Sequence, residues 1–165
     1  MKLRCPTLSY ACASILLATA ASAQFTEYTS KAAYDAAVGP HATIHFTEVA
    51  LGTTLTTHYL AQGLTFTDAN DATISNSAFL VDGIGVNAGG RINVSFSAPQ
   101  NHVGVDFPGA LRIELYNGAS LLYASSNFAG SGTGFFGGVK SVATFNRVLL
   151  IDWVDDLAFI DEFHF

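Results

Sequence analysis

Charge is scarce in this 165-residue chain: Asp, Glu, Lys and Arg make up 12% of it, against about 25% in an ordinary soluble domain. With half of the residues hydrophobic, a disordered polyelectrolyte is excluded. Basic charge is scarcer still. Lys plus Arg number 7 against 13 Asp plus Glu, a formal net charge of -6, so there is no basic surface to neutralise a phosphate backbone and nucleic acid is excluded as a partner. Cysteine is confined to Cys5 and Cys12. No long helical pattern separates the apolar runs, which excludes a parallel α/β sheet.

The first residues are expected to leave the protein. Lys2 and Arg4 precede an uncharged run through Leu8, Ile15, Leu16 and Leu17, followed by Ala21-Ser22-Ala23. This is the order of a bacterial secretory signal peptide, residues 1–23, cleaved to leave Gln24 at the new N-terminus. The run is too short and too polar to span a bilayer, which takes about 18 or more apolar residues. Both cysteines depart with it, so residues 24–165 can form no disulfide and no thiolate metal site.

What remains reads as strands in a single domain. Ile92, Val94 and Phe96 alternate with Arg91, Asn93, Ser95 and Ser97; Val103, Val105 and Phe107 alternate with Gly104 and Asp106; Leu111, Ile113 and Leu115 alternate with Arg112 and Glu114. Period two with one apolar face predicts half-buried antiparallel strands. Asn117-Gly118 predicts a hairpin turn joining Leu111–Tyr116 to Ser120–Ala124. Further strands are expected near 43–48, 63–67, 79–81, 139–145, 147–153 and 157–165. One short helix is expected at 30–38, capped by Ser30 and stopped by Gly39-Pro40. The expected fold is therefore an all-β, jelly-roll-like antiparallel sandwich of about nine or ten strands with one short N-terminal helix.

Catalytic signatures are few. There is no Gly-x-Ser-x-Gly elbow and no zincin motif. Gly132 to Gly137 spells Gly-x-Gly-x-x-Gly, but β-forming sequence flanks it on both sides and a dinucleotide site needs a helix after it. Asp155-Asp156 is the most evident carboxylate pair, and His41 and His45 are expected outward on one strand. Catalysis is not the expected activity. Its version here is a glycan hydrolase or lyase using carboxylates or His58 and His102. The aromatics Tyr59, Tyr116 and Tyr123 are candidates to stack on a sugar ring, whereas Trp153, following an apolar run, is expected in the core.

Several short stretches carry a family resemblance: Phe25-Thr26, Thr43-Ile44-His45-Phe46-Thr47-Glu48, Gly52-Thr53, Tyr59, Gly63-Leu64-Thr65-Phe66, Val103 to Phe107, Phe135-Phe136-Gly137 and Phe159 to Phe165. Together they resemble the globular domain of secreted bacterial proteins that carry PEP-CTERM sorting signals. Two departures stand out: His45 replaces the usual Asp, and the Pro-Glu-Pro anchor is absent. The resemblance implies an extracellular β-sandwich in surface or polysaccharide contexts, with no agreed catalytic residues. The expected function is a secreted, noncatalytic binding or matrix module, with polysaccharide or another cell-surface component as partner and release into the periplasm or medium. A structural Ca2+ tying the first strand to the last is also expected. Glu48, Asp161 and Glu162 are its candidate ligands, at acidic positions matching the resemblance, because Ca2+ accepts carboxylates in loose geometry.

Overall fold

The computed structural model describes residues 25–67, 72–130, 134–154 and 157–165; the expected signal segment and Asp155-Asp156 lie outside the described residues. Along the chain run β1 (Phe25–Tyr28), α1 (Lys31–Val38), β2 (Thr43–Ile44), a 3-10 turn (Leu60–Gln62), β3 (Leu64–Phe66), β4 (Thr73–Asn76) and β5 (Ile84–Gly89). Then come β6 (Arg91–Phe107), β7 (Ala110–Asn117), β8 (Ser120–Ala124), β9 (Phe128–Ala129), β10 (Phe135–Ile151), β11 (Leu157–Ile160) and β12 (Glu162–His164). All pairings are antiparallel, in a nine-stranded sheet built on β6 and β10 and a three-stranded sheet ordered β11-β5-β4. Side chains of both sheets meet in one core, which includes Ile74, Val86 and Ile160 of the small sheet and Ile92, Val94 and Leu150 of the large one. The fold is an antiparallel β-sandwich.

The two central strands change faces midway. In β6 the buried positions are Ile92, Val94 and Phe96 at one end and Val103, Val105 and Phe107 at the other. That is a switch from even to odd. It takes place around Pro99, where β6 skips ladder positions with β10 and no backbone N–H is required. Strand β10 answers with irregularities on both sides of Phe145, so its buried positions run through Val139 and Phe145 in odd register and then Val148 and Leu150 in even. The runs expected as separate strands are thus single 17-residue strands. Each flank of the pair is shared by two partners: β1 and β7 on β10, β12 and β3 on β6.

Helix α1 starts where Ser30 Oγ accepts from the Ala33 N–H and stops at Gly39, whose φ of +78° suits a residue without Cβ. It lies on the outer face of the β6–β10 half sheet. Tyr34 is fully buried there over Gly104 and Gly138, which are register partners. The hairpin between β7 and β8 is present, but Asn117 stays in strand pairing and the turn is Gly118-Ala119 with φ +59° at Gly118. A turn with positive φ at its first position alone is served by glycine there. The strand expected over 79–81 is not formed; these residues lie in the turn between β4 and β5.

Candidate functional site

The expected binding aromatics part company. Tyr59 is 1% exposed and packs edge-on against Phe46, ring centroids 5.7 Å apart. Burial, then the nearby Glu48 carboxylate, pushes its phenol well above the ordinary range. It is a core residue and cannot serve as a sugar platform: its ring is enclosed beside Phe46 and Phe66, and its carbonyl accepts from the Leu64 N–H. Tyr123 on β8 has one face stacked on Phe25 at 4.3 Å, and its hydroxyl donates to Glu27 at 2.7 Å. Burial and that carboxylate push its pKa up to about 12. Tyr116 is half-buried on the sheet surface. Trp153 is not in the core as expected: it is 41% exposed, its Nε1–H donating to the Phe128 carbonyl at 3.2 Å.

Tyr116 belongs to an ordered surface. On the half sheet where β7 pairs with β10, alternate residues point away from the core and line up in three rows across β6, β10 and β7: Arg91–Ile151–Arg112, Asn93–Leu149–Glu114 and Ser95–Arg147–Tyr116. Glu114 is the hub. One of its oxygens accepts from Arg112 Nη2 at 2.8 Å, the other from the Tyr116 hydroxyl at 2.6 Å. That hydrogen bond, with burial behind it, raises the Tyr116 pKa. The Arg147 guanidinium covers the Tyr116 ring at 4.0 Å. Three of the seven basic residues of an acidic protein therefore share one face. Trp153 lies at its Arg112 end, since Phe128 pairs with Leu111.

The outer face of the other half sheet carries histidine and carboxylate. Glu162 of β12 is the register partner of Asp106 on β6, and His164 pairs with both Gly104 and Thr43. The fully buried His164 ring has Nε2 2.7 Å from Asp106 Oδ2 and 3.6 Å from Glu162 Oε2, and Nδ1 2.9 Å from Thr43 Oγ1. His45 Nδ1 lies 2.6 Å from the other Glu162 oxygen. His41 is not beside His45 on a strand, because β2 begins only at Thr43; its ring instead lies 5.5 Å from both Tyr34 and His164. His102 completes the surround of Tyr34 at 6.0 Å. Burial, then the charges of His41 and Lys140, lowers its pKa. His58 is exposed in the turn before the 3-10 helix.

The expected calcium ligands are not assembled. Asp161 sits where the chain passes from the small sheet to the large one. Its carboxylate accepts from the Val81 N–H at 2.7 Å, and its own N–H donates to the Asp106 carbonyl at 2.8 Å. Burial raises its pKa, against the pull of the Val81 hydrogen bond. Glu48 is exposed in the turn after β2. Neighbouring residues of an extended chain face opposite ways, so Glu162 turns to Asp106 and His164, and these three form the group with ligand atoms within 4.8 Å of one another among the described residues. Sequence reading missed Asp106 and His164. The signal available was a polar residue alternating with buried Val105, Phe107 and Phe163; the pairing that joins them was not.

No family model matches the chain, and no curated protein does. Among solved structures, a mutant of a family 29 carbohydrate-binding module is similar at 12% identity and a TM-score of 0.36, over 86% of this chain and 90% of that one. Among the described residues no helix is long and apolar enough to cross a membrane.

Proposed function

We propose that this protein is a noncatalytic binding module for polysaccharide that works outside the cytoplasm after loss of residues 1–23, and that its ligand lies on the open face of the β6–β10–β7 half sheet. The observation that carries the proposal is the Arg112–Glu114–Tyr116–Arg147 array with Trp153 at its end. Sugar rings present apolar CH faces and hydroxyl edges. The half-buried Leu149 and Ile151 and the Trp153 indole suit the first, while guanidinium and carboxylate groups already held in place suit the second at little ordering cost. From Arg112 to Tyr116 the strand rises about 13 Å, room for more than one ring along the chain.

Affinity electrophoresis of residues 24–165 through gels containing neutral and uronate-bearing polysaccharides tests this. Retardation by at least one polymer is expected, reduced about tenfold or more in affinity by Trp153→Ala and by Arg112→Ala, since truncating a well-packed contact costs more than about 1 kcal/mol. No retardation by any polymer, or retardation that both variants leave intact, overturns the proposal.

A further inference from the structure

The geometry points to a divalent transition-metal site, taking Zn2+ in preference to Ca2+, formed by Asp106, Glu162 and His164. It is separate from the polysaccharide face and stands or falls without it. Among the described residues no Lys or Arg bonds to either carboxylate; their basic neighbours are the imidazoles of His164 and His45. The imidazole is held as a ligand is held: Thr43 Oγ1 occupies Nδ1 and aims Nε2 at the two carboxylates, while His45 fixes the far oxygen of Glu162. Such outer partners orient metal ligands and set which nitrogen is free. Three different strands supply the parts, and the carboxylates remain reachable, with side chains 15% and 23% exposed.

The ligand set decides the metal. Ca2+ takes six to eight oxygens, and two carboxylates cannot supply them. One nitrogen and two carboxylate oxygens with a solvent position is a tetrahedral Zn2+ set. At bond lengths of about 2.0–2.2 Å, ligand atoms around tetrahedral zinc stand about 3.3–3.6 Å apart. Nε2 and Glu162 Oε2 already stand at 3.6 Å. Nε2 and Asp106 Oδ2, at 2.7 Å, open by about 0.6–0.9 Å as the bridging proton leaves to solvent and the metal takes its place.

Isothermal titration of the metal-free protein with ZnCl2 and with CaCl2, paired with thermal melts, provides the test. One Zn2+ per chain is expected, with a rise in melting temperature that chelator reverses and no matching effect of Ca2+. Glu162→Gln and Asp106→Asn are expected to abolish the heat while keeping the native near-ultraviolet circular dichroism. Thr43→Val, which leaves all three ligands, is expected to weaken binding about 10–100-fold and decides the matter if the ligand variants do not fold. No heat with Zn2+, heat undiminished in every variant, or equal binding of Ca2+ overturns the assignment.

Discussion

Alanine at Gly104 tests whether the outer layer is seated as described. The Cβ it adds would stand 2.7 Å from Phe136 Cζ, 3.0 Å from Phe136 Cε2 and 3.1 Å from Tyr34 Cε1. Carbon atoms pack at about 3.5–4.0 Å, so the Phe136 ring must retreat by about 1 Å, or Tyr34 and α1 must lift. Overpacking of this kind costs about 1–3 kcal/mol. Against it stands the reduced freedom of the unfolded chain, worth about 0.4–1 kcal/mol, because Gly104 has no positive φ to forbid alanine. The net expectation is a loss of about 1–2 kcal/mol. Urea titration should show a lower midpoint with an unchanged slope, and a thermal melt a fall of about 3–8 °C. Gly109→Ala is the control, since nothing lies within 4 Å of its added carbon and its φ is ordinary. It should match the parent or exceed it slightly. Equal stability of Gly104→Ala and Gly109→Ala would refute the packing of Tyr34 and Phe136 on a two-glycine pad.

Two further outcomes follow from polar groups at β1 and α1. Glu27 accepts from Tyr123 Oη, Ser126 N and Ser126 Oγ; burial alone would raise its pKa, and these bonds more than offset it, leaving it lowered. The stability it contributes is therefore present above the unfolded value of about 4.3 and lost as pH falls through the lower folded value. Glu27→Gln should cost about 1–2 kcal/mol at pH 7 and nothing in strong acid, read by melts across pH; a gap constant with pH would contradict this. Tyr34 has a buried hydroxyl without a hydrogen-bond partner among the described residues, so Tyr34→Phe should melt at or up to about 1 kcal/mol above the parent, and a clear loss would reveal a partner for that oxygen.

The parts of the fold written in local pattern were legible. Leu111, Ile113 and Leu115 face inward as their alternation requires, α1 begins at its Ser30 cap, and the 118–119 turn joins the strands expected of it. Whatever depended on distant pairing was not. The two halves of β6 look like separate strands because the inward face changes at Pro99, and a period-two pattern cannot show that the chain continues through such a break. Tyr59 and Trp153 were exchanged for a related reason: amphipathic rings suit core and surface alike, and the choice fell to which segment folds back over which. Asp106 and His164 are 58 positions apart and meet only through the register of β12 on β6.

That register bears on the order of folding. Strand β2 has two residues, and its partner is β12, with Thr43 and His164 bonded 121 positions apart. β1 likewise waits for β10. At about 5–20 residues per second of synthesis, the partners of these opening strands are made several seconds after them. Loop-closure entropy is met before these contacts form, so closure belongs to the slow, millisecond-to-second class of β topologies. A chain released before residue 162 would leave the backbone of Thr43 and Ile44 open as an unpaired edge.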